Sequence, residues 1–144
     1  MKLYISAASP FARKCRIVAR EKGLADRVEE IIADPYASDP ALVAANPLVQ
    51  VPALVTDDGT MFTDSPLICE WLDAQGSGAR LLPPEGEARW RVRRLETLAG
   101  GALEMGVKLV LEKRRPESER SPSWIERWTT NMGRALEALE VPCP

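Results

Sequence analysis

The sequence predicts an α/β domain, βαβ followed by ββα around a mixed four-stranded sheet, joined to a wholly helical second part. Three observations carry this. A Ser9-Pro10 pair follows a short apolar strand, and a Val51-Pro52 pair opens another apolar run just ahead of an Asp-Gly turn. Beyond Leu81-Leu-Pro-Pro84 the periodicity becomes helical throughout.

Lys2 to Ser6 alternates Leu3 and Ile5 and reads as a buried strand. Ser9 then serves as a helix N-cap with Pro10 at the first helical position, where a missing N–H costs nothing. That helix is expected to reach about Lys22, with Phe11, Cys15, Val18 and Ala19 inward and Gly23 closing it. Cys15 lies on the apolar stripe and reads as core. Val28 to Ala33 is a second strand, so the βαβ order implies a parallel pair. A short helix fits Pro40 to Ala45.

Pro52 cannot donate to a ladder, which marks the start of a third strand ending near Thr56. It either begins that strand in trans or holds a cis bond that turns the Val51 backbone outward, where an extended peptide could pair with it. The Asp57-Asp-Gly-Thr60 turn returns the chain as an antiparallel fourth strand, Met61 to Thr63. Asp64-Ser65-Pro66 starts another helix, with Leu67, Ile68, Trp71 and Leu72 as its apolar stripe. The expected boundaries are a domain over residues 1–77, a linker over 78–84 and helices over 85–144.

In the helical part, Glu85 to Arg115 places Val92, Leu95, Ala99, Ala102, Met105 or Gly106, and Leu109 on one stripe. Gly100-Gly101 in its middle predicts a kink or a close packing contact. After Pro116 a second helix runs from Ser121-Pro122 to about Leu139, with Trp124, Trp128, Met132, Leu136 and Leu139 as its face. Val141-Pro-Cys-Pro144 then stops the chain.

The 144 residues are 45% hydrophobic and 28% charged, ordinary for a globular protein, and the net charge of -2 gives no support for a nucleic-acid partner. No apolar run has the length of a membrane span and no signal peptide precedes the first strand, so a cytoplasmic location without membrane partners is expected. Three cysteines, Cys15, Cys69 and Cys143, without a CxxC pair argue against a disulfide framework and a zinc site. The absence of histidine excludes Ser-His-Asp and Cys-His catalysis and removes the commonest transition-metal ligand. Chemistry is left to hydroxyls, thiols, carboxylates, backbone N–H groups or a bound co-substrate, with no metal expected.

Both Ser-Pro helix starts aim their free N–H groups at the same edge of the sheet, and such helix N-termini favour anions. Ser65 could hold a carboxylate while Asp64 pairs with an ammonium. A ligand with both groups at one end and an extended backbone for Val51 would be a γ-glutamyl tripeptide. Each Ser-Pro pair taken singly is better read as plain helix capping.

Together, Ser9-Pro-Phe-Ala-Arg-Lys-Cys-Arg16, Asn46-Pro-Leu-Val-Gln-Val-Pro-Ala-Leu54 and Thr63-Asp-Ser-Pro-Leu-Ile-Cys-Glu-Trp-Leu72 resemble the glutathione transferases. The resemblance implies a thioredoxin-like first domain, and Glu85 to Arg115 is similar to the first helix of the family's all-helical second domain. It implies that Val51, with Pro52 cis, pairs its main chain with the cysteinyl part of glutathione, that Asp64 and Ser65 hold the γ-glutamyl group, and that Gln50 reaches the glycyl carboxylate. Val49 departs from the pattern, since many relatives carry a polar or basic residue there. Ser9 occupies the position that acts on the glutathione sulfur, by hydroxyl or helix dipole, stabilising the nucleophilic thiolate. Tyr4 is an alternative donor, expected instead to face the core. Relatives with Cys in place of Ser9 act as thiol transferases, so disulfide reduction is not implied.

The family's second domain continues through several more helices, so this one is expected to be incomplete. Met105, Leu109 and Glu112 would then line only part of an electrophile pocket. The expectation is an intact glutathione site with weak transferase activity toward an electrophilic small molecule, a cytoplasmic homodimer, and a role in detoxification. The alternatives are a binding or regulatory module without turnover, and another glutathione-dependent reaction such as isomerisation or dehalogenation.

Overall fold

The computed structural model describes residues 1–140; Val141 to Pro144, with Cys143, lie outside the described residues. The chain forms two compact units, Met1 to Leu82 and Pro83 onward.

The first unit begins with β1 (Lys2–Ile5), α1 (Pro10–Glu21) and β2 (Glu29–Ile32). It continues with α2 (Pro40–Ala45), β3 (Ala53–Val55), β4 (Met61–Thr63) and α3 (Ser65–Gln75). The sheet order is β2-β1-β3-β4, with β1 parallel to β2, and β3 antiparallel to both β1 and β4. Side chains alternate across a strand, so β1 sends Leu3 and Ile5 to one face and Tyr4 to the other. On the first face Leu3, Ile5 and Leu54 meet Ala12, Cys15 and Ala19 of α1 and Ile68, Cys69 and Leu72 of α3. On the second face Ala53 joins Ala33, Leu42 and Ala45, with Tyr4 and Val51 packed alongside. Helices thus cover both faces.

The helix faces differ in detail from the sequence expectation. In α1 the fully buried line is Ala12, Cys15 and Ala19, while Phe11 and Val18 flank it half-buried. Small residues facing the sheet let α1 approach it closely. In α3 Leu67 points outward, 49% exposed, and Cys69 and Asp73 take the inward positions.

The second unit contains α4 (Gly86–Arg114) and α5 (Pro122–Glu140), packed against each other. The close-packing reading of Gly100-Gly101 fails among the described residues: a Cβ at either would meet none of them within 4 Å. Close approach occurs instead at Gly106, where a Cβ would lie 3.7 Å from Met132 Sδ. On α5, Ala135 is buried, whereas Trp124 and Leu136 are 52% and 49% exposed. The Glu112 carboxylate accepts the Ser121 N–H at 2.7 Å, satisfying a donor just before α5. Glu112 is thereby engaged in joining the two helices.

Candidate functional site

The sheet register decides where the candidate residues fall. Tyr4 of β1 pairs with Ala53 of β3, which pairs with Thr63 of β4. The C-terminal ends of β1 and β4 therefore lie beside the start of β3. Ser9 after β1, Val51-Pro52 before β3, and Asp64-Ser65 after β4 all emerge at this one end of the sheet.

Ser9 caps α1, its Oγ accepting the Ala12 N–H at 3.2 Å, with Pro10 next in the first turn. A hydroxyl that accepts one bond still has its own hydrogen to donate. Ser9 can therefore cap the helix and offer O–H to an anion at the same time. It is half-buried, which leaves it reachable. Tyr4 packs against the Ala33–Leu42–Ala45 cluster on the second face of the sheet, on the core side as expected.

Asp64 has φ 70 and ψ 131, a conformation unusual for a residue with a side chain and costing on the order of 1–3 kcal/mol. Its carbonyl accepts the Ile68 N–H at 3.1 Å, so the backbone still starts α3 regularly while the exposed carboxylate stays clear of the capping role. Ser65 follows as the first residue of α3, 1% exposed. Its Oγ is buried and without a hydrogen-bond partner among the described residues. Most buried hydroxyls are paired, so this one is suited to an incoming acceptor or donor at the helix N-terminus.

The Val51–Pro52 peptide bond is cis. Pro52 is buried, the Val51 side chain packs with the second-face cluster, and Gln50 is exposed. Upstream, Asn46 is 2% exposed and fully engaged. Its Nδ2 donates to the Gln50 carbonyl at 2.9 Å and its Oδ1 accepts the Leu48 N–H at 3.0 Å. Val49 donates to the Asn46 carbonyl at 2.8 Å and takes φ 53. In the sequence Asn46 marks only the start of the Asn46–Leu54 motif. The signal available was an Asn at a helix end before Pro, which favours a side-chain-closed turn.

Two cysteines lie under the site. Cys69 Sγ donates toward Cys15 Sγ at 3.7 Å, and Cys15 Sγ donates to the Ser65 carbonyl at 3.8 Å. The bond from Cys69 and then burial push the Cys15 thiol well above its ordinary range, so it stays protonated. Cys15 is core, as its stripe position implies, and supplies no nucleophile.

At the other end of α1, Lys22 and Asp73 form a buried pair at 3.1 Å, their side chains 1% and 3% exposed. Asp73 also accepts the Leu81 and Leu82 N–H groups, each at 3.0 Å, and Lys22 donates to the Ala79 carbonyl at 2.8 Å. Burial works to raise the Asp73 carboxyl, but those two N–H groups and the Lys22 ammonium outweigh it and hold it below its usual range. The segment after Gly78 is therefore tied down to the first unit. The residue pattern marks Lys22 only as the expected end of α1 and does not single out Asp73.

Residues 8–75 match the family model described as the glutathione S-transferase N-terminal domain. The uncharacterized GST-like protein YibF of Escherichia coli (strain K12) is 37% identical over 140 residues, covering 97% of this chain and 68% of that protein. A maleylacetoacetate isomerase of Pseudomonas aeruginosa is 31% identical over 147 residues, with the same two coverages of 97% and 68%. The crystal structure of a glutathione transferase family member from Pseudomonas fluorescens Pf-5 with bound glutathione superposes with a TM-score of 0.92 at 35% identity. That superposition covers 96% of this chain and 69% of the other. With its thioredoxin-like sheet followed by a helical unit, this chain belongs to the glutathione S-transferase family.

Proposed function

We propose that this protein is a glutathione transferase, joining the glutathione thiolate to an electrophilic small molecule. The observation that carries the reading is Ser65 Oγ, buried and unpartnered among the described residues at the first turn of α3, beside Asp64. A carboxylate at this helix N-terminus would satisfy the hydroxyl and the helix dipole together. The exposed Asp64 carboxylate would take the neighbouring ammonium, which describes a γ-glutamyl end. The P. fluorescens structure, described with bound glutathione, supports the same ligand class.

In this reading residues 1–77 bind glutathione. Val51, preceding Pro52, pairs its main chain with the cysteinyl unit, and Gln50 reaches the glycyl carboxylate. Ser9 donates its hydroxyl hydrogen to the sulfur, which favours thiolate over thiol. The thiolate attacks an electrophilic carbon; a C–S bond forms, the leaving group departs with its electron pair, and the thiol proton passes to solvent. The reading includes a cytoplasmic homodimer and a detoxification role.

Calorimetric titration with glutathione tests the binding, with a saturable one-site isotherm expected; a folded sample with no heat of binding sinks the proposal. Turnover of an activated aryl halide with glutathione then separates a transferase from a module that only binds. A second reading is favoured by the isomerase relative: the thiolate adds to a double bond, the adduct rotates, and glutathione is released again. Conversion of a cis-dicarboxylate substrate without net glutathione consumption would select it.

A further inference from the structure

We propose that Asn46 is a positioning residue that aims the Val51 N–H at the peptide backbone of bound glutathione; the proposal rests on the glutathione reading above. The peptide unit between Gln50 and Val51 is held from one side. Among the described residues the only cis bond is Val51–Pro52, so the Gln50–Val51 unit is trans. In a trans unit the C=O and the N–H point in opposite directions. The Gln50 C=O is held by Asn46 Nδ2 at 2.9 Å, on the side of a residue that is 2% exposed. The Val51 N–H of the same unit is thereby turned the other way, out of the loop.

The bond is not needed to close the turn. The Asn46 backbone carbonyl already accepts Val49 N–H, and Asn46 Oδ1 accepts Leu48 N–H. Those two bonds shape residues 46–49; the Nδ2 bond adds control of the next peptide plane. The Val51 side chain is meanwhile committed to the cluster of Leu42, Ala45 and Ala53. With side chain and preceding carbonyl both engaged, the plane cannot turn over without breaking a part-buried hydrogen bond. Pre-orienting a donor in this way removes an ordering cost from ligand binding.

Only an amide does this here. Asn offers a donor and an acceptor together, Asp would accept from Leu48 but set a carboxylate oxygen against the Gln50 carbonyl, and Ala would do neither. Asn46→Asp and Asn46→Ala are each titrated with glutathione beside the wild type, with folding followed by circular dichroism. Both folded variants are expected to bind glutathione at least tenfold more weakly. Their KM for glutathione rises in the same ratio, while kcat at saturating glutathione stays within about twofold. Should neither variant fold, hydrogen exchange of the Val51 amide in the wild type decides: saturating glutathione is expected to slow it at least tenfold. The proposal is overturned if the wild type binds glutathione and either the folded variants bind within twofold of it or the Val51 amide exchanges unchanged. If the wild type itself does not bind, the glutathione reading falls first, and this inference with it.

Discussion

A buried hydroxyl left unpaired costs roughly 1–3 kcal/mol, so Ser65 is a place where binding and stability pull apart. Replacing it with Ala removes that cost, and the ligand-free protein is expected to keep or gain stability in urea unfolding. Glutathione affinity should fall about tenfold to a hundredfold, the value of one hydrogen bond to a charged group. A variant that loses stability and keeps affinity would show that the hydroxyl serves the fold. Ser9 differs because its Oγ already caps α1 through Ala12 N–H. Ser9→Ala should cost about 1 kcal/mol of stability. It should also lower kcat/KM by roughly tenfold to a hundredfold as the thiolate loses its donor. An unchanged rate with the aryl halide would remove Ser9 from the mechanism. Ser9 and Asp64-Ser65 could be named from sequence because each sits at a local helix start, whose N–H groups are free in any fold. The Asn46 bond to Gln50 needed coordinates, since which way a peptide plane faces is not written in residue types.

At the scale of elements, α1 and α3 are fastened at their C-terminal ends by the Lys22–Asp73 pair and by Gly76. Gly76 has an ordinary φ of -91, so its value lies in space: an added Cβ would come within 2.5 Å of the Lys22 carbonyl oxygen, which already accepts Ser77 N–H. Gly76→Ala is expected to destabilise the first unit by about 1–3 kcal/mol through overpacking against backbone. Lys22→Met takes the buried cation from Asp73, leaving only the half-exposed Arg80 guanidinium at 3.9 Å, and should cost about 3–5 kcal/mol. The pH dependence has a fixed sign. Asp73 is held below its ordinary value in the folded state, so its contribution is fully present above the unfolded carboxylate value of about 4. It is lost as pH falls from there through the lowered folded value. Acid unfolding of Asp73→Asn should therefore be less steep below about pH 4 than that of the wild type; parallel curves would exclude Asp73 as a contributor. The elements themselves were legible because their punctuation is local: Ser9-Pro10, Gly23, Pro40, Asp57-Asp-Gly59 and Pro116 each act within a few residues. The faces were less so. Periodicity locates a stripe only approximately, and the packing of α3 on the sheet turns Cys69 inward and leaves Leu67 exposed.

The two units of the molecule differ in how much they bury. In the first, Leu3, Ile5, Leu24, Leu42, Leu54, Ile68 and Leu72 are all almost wholly removed from water. Each such side chain contributes roughly 1.5–3 kcal/mol of hydrophobic stabilisation. In the second, among the described residues, Ala102, Leu109 and Ala135 are the buried hydrophobic ones, while Trp90, Val110, Trp124 and Leu136 stay exposed. Two alanines and a leucine set little against the entropy of ordering two long helices. Local opening follows local burial, so the chain should not open as one cooperative body. Amide hydrogen exchange is the measurement. The α5 amides from Trp128 to Leu139 are expected to exchange at least a hundredfold faster than those of Leu3, Ile5 and Leu54, whose protection tracks global unfolding. Leu109→Ala should widen the gap by speeding α5 and leaving the β1 amides where they were. If α5 proves as protected as β1, something beyond its contacts with α4 holds it, and the view of the second unit as the weaker body is wrong.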